Sequence, residues 1–193
     1  VSEYETAYYP GILRSVTIPN TVKKIGDYAF MFASSLTSIE LSGVEEIGNS
    51  AFYQSGLTKA DLSSIRVIGD MAFIASENLA EVTLGNFEQI GKLVFAETAI
   101  TKLEIPNLTD LSFDDSWFEL DDGGNWVEVT GKKTARVAPG AFGGMSQLKT
   151  VTVKGEGKLS VVDNVLYVDN AEGKVLLLYP AKRVGSEYTP VNG

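Results

Sequence analysis

The sequence predicts an α/β solenoid, with one short parallel strand per coil and short helical segments opposite. The first ground is repetition: Leu13, Leu36, Leu57, Leu79, Ile100, Trp126 and Leu148 open units of one pattern at successive spacings of 23, 21, 22, 21, 26 and 22 residues. The second is constancy inside the unit, because Leu36, Ile39, Leu41, Ile47, Ala51 and Phe52 recur at the same offsets as Leu57, Ala60, Leu62, Ile68, Ala72 and Phe73, and again as Leu79, Val82, Leu84, Ile90, Val94 and Phe95. The third is punctuation, with Pro19-Asn20, Ser42-Gly43, Gly85-Asn86 and Pro106-Asn107 after each apolar run. Self-similarity at roughly 20 to 29 residues is the mark of stacked supersecondary units, none of which buries its apolar side alone.

The elements follow in chain order. Residues 1–12 precede the first unit, and Tyr4, Tyr8, Tyr9 and Pro10 are placed to cover the open end of the stack, where core and strand edge would otherwise meet water. Residues 13–159 form about seven coils. The ending of Leu-x-x-Val-x-Leu in period-two alternation puts its apolar residues on one face of a short strand. A turn follows, then an Ile-Gly pair (Ile25-Gly26, Ile47-Gly48, Ile68-Gly69, Ile90-Gly91), whose glycine is expected to permit a tight bend. The Ala-Phe pair then sits in a segment such as 27–33 or 49–54, opened by an N-cap residue and long enough for one or two helical turns. Phe30, Phe52, Phe73, Phe95 and Phe142 are expected to stack as an inner column, each contributing roughly 1.5 to 3 kcal/mol of transfer free energy. Ser15, Ser38, Lys59, Glu81, Lys102, Glu128 and Thr150 are expected on the exposed face of the sheet, with charges alternating in sign. Coil six is aligned as Trp126, Val129, Gly131, Val137, Ala141 and Phe142, and coil seven as Leu148, Val151 and Val153, with Leu159 at the Ile position. Residues 160–193 supply a C-terminal β-hairpin, with Val165–Val168 and Val175–Tyr179 flanking the polar turn 169–173, and a tail.

Composition excludes whole classes of chemistry. Without Cys or His there is no thiolate nucleophile, disulfide, Cys/His zinc site or imidazole base. The 25 acidic against 16 basic residues give a net charge of −9, which disfavours nucleic acid. No run approaches the roughly 18 to 20 apolar residues of a membrane span. The chain opens on Val1, so it is expected to be a trimmed or mature portion, which allows an export signal to have been lost.

The unit Leu-x-x-Val-x-Ile-Pro-Asn-x-Val-x-x-Ile-Gly-x-x-Ala-Phe, intact from Leu13 to Phe30, resembles the leucine-rich repeat of BspA-like bacterial surface proteins. The run from Val162 to Asp169 and that from Gly173 to Lys182 resemble a hairpin that interrupts repeats in this family. The Cys common after the Ala-Phe pair is replaced near those points by Ser34, Ser55 and Ser76. The resemblance implies an exported protein of gut or oral anaerobic bacteria, often lipid-anchored ahead of such a segment, and associated with adhesion to host matrix proteins or other cells.

The pattern breaks in coil five, where Asp110, Asp114, Asp115, Glu119, Asp121 and Asp122 surround Phe113, Trp117 and Phe118. Three readings stay open. Trp117 or Phe118 replaces the missing core Phe while the acids solvate an enlarged loop. Alternatively, Trp117, Phe118, Glu119, Asp121, Asp122 and Trp126 form a contact surface, since solenoid insertions and loops on rigid scaffolds carry binding. Calcium binding through Asp121, Asp122 and Asn125 is the third, although the EF-hand spacing is not met. The functional expectation is a non-catalytic cell-surface binding module without cofactor or metal, taking a protein ligand in preference to a glycan. The alternative is a spacer or accessory module of a larger surface protein. Added calcium should accordingly leave the thermal midpoint nearly unchanged; a rise of several degrees would reveal a metal site.

Overall fold

Seventeen short strands run in chain order through the described residues: β1 (Ser15–Val16), β2 (Lys24–Ile25), β3 (Ser38–Ile39), β4 (Glu46–Ile47), β5 (Lys59–Leu62), β6 (Val67–Ile68), β7 (Glu81–Leu84), β8 (Gln89–Ile90), β9 (Lys102–Pro106), β10 (Leu111–Ser112), β11 (Phe118–Leu120), β12 (Trp126–Glu128), β13 (Ala135–Val137), β14 (Thr150–Lys154), β15 (Leu159–Val162), β16 (Val165–Asn170) and β17 (Gly173–Leu178). The computed structural model describes residues 12–106, 111–112, 118–120, 126–128, 135–138, 140–170, 173–178 and 180–182. The expected N-terminal cover of Tyr4, Tyr8, Tyr9 and Pro10 lies outside them.

The chain winds as a parallel solenoid with two strands per rung rather than one. The front strands pair in parallel as β1 with β3, β5 with β7 and β9 with β14, β3 lying beside β5 and β7 beside β9. The Ile-Gly segments form a second parallel ladder in the order β2, β4, β6, β8, β13, β10. The inside and outside of the repeat fall where alternation puts them. Leu36, Leu57 and Leu79 are wholly buried, as are Phe52, Phe73 and Phe95, while Ser15, Ser38, Lys59, Glu81, Lys102 and Thr150 all face water. The phenyl rings stack with centroids 5.2 Å apart for Phe30 and Phe52, 5.1 Å for Phe52 and Phe73, and 5.7 Å for Phe73 and Phe95. That spacing follows the roughly 4.8 Å separation of hydrogen-bonded strands.

No helix occurs among the described residues, which corrects the α/β expectation for the segments opposite the front sheet. In rung one the N–H groups of Tyr28, Phe30 and Phe32 donate to the carbonyls of Asn49, Ala51 and Tyr53 in the next rung at 2.9, 2.7 and 2.7 Å. The intervening N–H groups of Ala29, Met31 and Ala33 bond three residues back, to Gly26, Tyr28 and Phe30. The segment is thus a chain of tight turns. Positive φ recurs at Tyr28 and Phe32, Ser50 and Gln54, Met71 and Ala75, Leu93 and Glu97, and then at Gly140 and Gly144. Two left-handed residues per rung cannot belong to a right-handed helix. A segment of seven or fewer residues gains too little from helical bonds to outweigh a donor ladder to its neighbour.

The Asp and Asn at the start of these segments also act between rungs. Asp27 Oδ1 accepts the N–H of Asn49, Asn49 Oδ1 that of Asp70, and Asp70 Oδ1 that of Lys92, each at 2.8 Å. Three of the four Ile-Gly glycines likewise sit at a close approach of backbones. A Cβ on Gly48, Gly69 or Gly91 would lie 2.6, 2.6 or 2.5 Å from the backbone nitrogen of Asp27, Asn49 or Asp70 in the preceding rung.

Coil six departs from its expected register. Trp126–Glu128 pairs antiparallel with Phe118–Leu120, Leu120 opposite Trp126 and Phe118 opposite Glu128, so Glu128 is no member of the front ladder. Val137 sits beside Ile90 in the second ladder, and β14 follows β9 directly in the front one. Residues 107–134 are therefore an insertion inside rung five, whose Ala141 and Phe142 continue the core. Leu111 pairs with Ala135 on the outer side of β13 rather than with the Ile90 strand.

The C-terminal hairpin forms, with Val168 opposite Val175 and Asp169 opposite Lys174, and gains a third antiparallel strand. Leu159 pairs with Val168 there and so leaves the Ile position assigned to it. The β15–β16 turn, with Asp163 and Asn164 at φ 49 and 61, has the left-handed pair of a type I′ turn. It closes the front sheet. Asn164 Oδ1 accepts the Val151 N–H at 2.9 Å while its amide donates to the carbonyl of Lys149, standing in for the next strand.

Two contrasts test this packing. Phe73→Ala should cost about 3 to 5 kcal/mol in urea unfolding, and Glu81→Ala within about 0.5 kcal/mol. Gly69→Ala should cost about 1 to 3 kcal/mol through overpacking, whereas Gly26→Ala, with nothing within 4 Å of its added Cβ, should be nearly neutral.

Candidate functional site

The solenoid presents three surfaces that differ in what they can bind. On the front sheet, Lys59 and Glu81 pair across strands at 2.8 Å, and the neighbouring exposed column carries Thr17, Glu40, Asp61, Thr83, Glu104 and Thr152. Hydrogen bonds from Ser63, its hydroxyl first and then its backbone N–H, hold Asp61 below the ordinary carboxylate range. Among the described residues these two columns carry no Tyr, Trp or Arg anchor of the kind that dominates binding energy.

Beside the Ile ladder, charge alternates from rung to rung: Lys23 with Glu45 at 3.2 Å, Glu45 with Arg66 at 3.6 Å, then Arg66 Nε with Glu88 at 3.0 Å. Lys24 pairs with Glu46 at 3.0 Å, and the hydrogen bond and charge of Glu46 raise its ammonium above the usual value. These groups are exposed and spend their charge on one another, so they tie rungs together and leave little for a ligand.

The turn side is different. Tyr28 is 59% and Met71 39% exposed, both at left-handed positions whose side chains are turned outward. Met31, Phe32, Tyr53 and Ile74 are half-buried beside them, and the Phe32 and Tyr53 rings meet edge to face with centroids 5.1 Å apart. A groove of about 380 Å³ borders this stripe, lined by Phe32, Gln54, Ser55, Ala75, Glu77 and Asn78. Its floor is polar but satisfied: the hydroxyls of Ser55 and Ser76 lie 3.0 Å apart, and Ser76 donates to the Phe52 carbonyl at 2.7 Å. Thr98 donates to the Phe95 carbonyl at 2.8 Å. The expected serines at two of the family's Cys positions thus form a buried hydroxyl column.

Of the residues singled out in the insertion, Phe118, Glu119 and Trp126 fall on β11 and β12, which pair only with each other among the described strands. Trp117, Asp121 and Asp122 lie outside the described residues. Nothing periodic in the sequence marks the turn-side stripe, because its members occupy the variable positions of the repeat, beside Ser50 and Gln54. The available signal was an apolar excess at Tyr28, Met31, Phe32, Tyr53, Met71 and Ile74 beyond what the core pattern requires. Among the described residues no group of three or more acids is arranged to hold a metal, and no helix is long and apolar enough to cross a membrane.

A parallel two-ladder solenoid with Leu, Ile and Phe columns inside defines a leucine-rich repeat protein. The BspA type leucine rich repeat region matches residues 4–121 in six copies, more than half of the chain, and the chain belongs to that family. It is similar in structure to the pneumococcal vaccine antigen PcpA, at 26% identity and a TM-score of 0.65 over 88% of this chain and 37% of that one. A leucine rich cell surface protein from Faecalibacterium prausnitzii is similar at 28% identity, with a TM-score of 0.61 over 96% of this chain and 50% of the other. A leucine-rich repeat protein from Eubacterium ventriosum shares the fold, at 19% identity and a TM-score of 0.53. The chain spans half or less of the length of each of these proteins. No curated protein sequence matches it.

Proposed function

We propose that this chain is a non-catalytic binding module displayed outside a bacterial cell, serving adhesion to a protein ligand. The observation that carries the reading is the exposed Tyr28 and Met71 with the half-buried Phe32 and Tyr53 beside them, a cluster of the residue types that anchor protein interfaces. Membership of a family of bacterial surface repeats supports the location. The rigid stack supports the role, since a ligand meeting a preformed surface loses little to ordering. The insertion supplies a second contact element through Trp117, Phe118, Glu119, Asp121, Asp122 and Trp126, because its hairpin strands pair with no rung strand among the described residues. A spacer role is the second reading, favoured by the front sheet, whose exposed columns carry no anchor.

The test is binding of the purified chain to an immobilised panel of host matrix proteins and glycans. The double variant Tyr28→Ser, Met71→Ser should keep its thermal midpoint and lose about tenfold or more in affinity for the protein it captures, roughly 1.4 kcal/mol. Capture of nothing on the panel favours the spacer, and capture unaffected by the double variant removes the turn side from the reading.

A further inference from the structure

The proposed protein-binding role leaves the chemistry of the partner open, and the turn side restricts it. From the apolar stripe and the acids that border it, we infer that the docking element of the partner is a basic amphipathic helix. This inference rests on that binding role, and the surface itself selects the partner type.

The stripe runs along the stack. Tyr28 in rung one, Tyr53 in rung two, and Met71 and Ile74 in rung three are set one strand spacing apart, so the three rungs cover roughly 10 Å at about 4.8 Å per rung. About seven residues of helix cover the same length at 1.5 Å per residue, which brings anchors at i, i+3 or i+4, and i+7 over successive rungs. An extended strand is the poorer occupant. Strand addition needs unpaired backbone donors and acceptors, and here the N–H groups of Tyr28, Phe30, Ser50, Phe52, Met71 and Phe73 already bond the next rung. Recognition must therefore go through side chains.

Charge selects the rest. Asp27 and Asp70 immediately precede Tyr28 and Met71, Glu77 lines the groove beside Phe32, Glu97 takes the Phe32 column in rung four, and all four acids are exposed. Lys92 is the one cation of the Asp27 column among the described residues; Lys24, on β2, pairs with Glu46 and also feels the charge of Asp27, while Lys23 and Arg66 are paired with Glu45 and Glu88. An apolar track bordered by acids on a chain of net charge −9 attracts a helix carrying Lys or Arg beside its apolar face and repels an acidic one. Anionic lipid is repelled by the same acids.

The experiment measures fluorescence anisotropy of a labelled Leu/Lys amphipathic peptide of about 14 residues, roughly four helical turns, against the whole chain. A Leu/Glu peptide of the same pattern is the control. The Leu/Lys peptide should bind and weaken as salt rises; the Leu/Glu peptide should bind at least tenfold more weakly. Asp70→Asn with Glu77→Gln and Glu97→Gln should lower affinity about tenfold and flatten the salt dependence. Asn49 shows that an Asn keeps the Asp70 inter-rung bond. Tyr28→Ser with Met71→Ser should weaken binding at every salt concentration. Equal binding of both peptides, or binding indifferent to the acid variants, would overturn the inference, as would adsorption to phosphatidylcholine or phosphatidylserine vesicles without binding of the peptide. Should the chain capture a matrix protein through Tyr28 and Met71 yet ignore the Leu/Lys peptide, the partner chemistry falls and the binding role stands.

Discussion

Each rung is held to the next by backbone hydrogen bonds, and the spacing those bonds impose governs everything else in this structure. At about 4.8 Å per rung, whatever occupies a position must be compatible with its counterpart directly above and below. Phenyl rings satisfy that condition by stacking nearly parallel, at interplanar angles of 9° and 6° in the first two pairs. Carboxylate and amide oxygens satisfy it by accepting the N–H of the residue above, as Asp27, Asn49 and Asp70 do in sequence. Where the backbones themselves come closest, only glycine fits.

The same constraint sorts the surface. Like charges in register would repel along the stack, and two of the exposed columns answer with alternation, Lys23 to Glu45 to Arg66 to Glu88 and Lys59 to Glu81. Those columns neutralise themselves locally, and the proposed binding role falls to positions where the repeat does not dictate the residue. Tyr28 and Met71 sit at such positions, and the left-handed backbone there turns them away from the core. A structural rule thus separates the part of the molecule that must repeat from the part free to recognise a partner.

The ends and the splice show what happens when repetition stops. Rung one has no rung below it among the described residues, and its Leu13, at 39% exposure, is the wetted version of the wholly buried Leu36 and Leu57. At the other end Asn164 supplies in one side chain the acceptor and donor that a further strand would bring. The insertion in rung five leaves the second ladder intact because Val137 returns to Ile90, so a long excursion costs only loop-closure entropy, which grows slowly with length.

The sequence by itself determined the repeat, the identity of the buried columns and the exposure of the front face, because period and alternation decide which side chains can share an interior. It also pointed to the C-terminal hairpin through its polar turn. Only the tertiary structure decided the path of the Ala-Phe segments, the register of residues 126–128 and the place of Leu159. Those segments hold helix-compatible residues, and their N–H groups turn to the neighbouring rung only once that rung is in place. Trp126 mimics an opening Leu in spacing, yet its strand pairs with Phe118–Leu120, a partner close by in the sequence. The proposed binding surface is the least legible part: single apolar residues at variable positions carry no periodic signal, and only stacking places Tyr28, Tyr53 and Met71 on successive rungs.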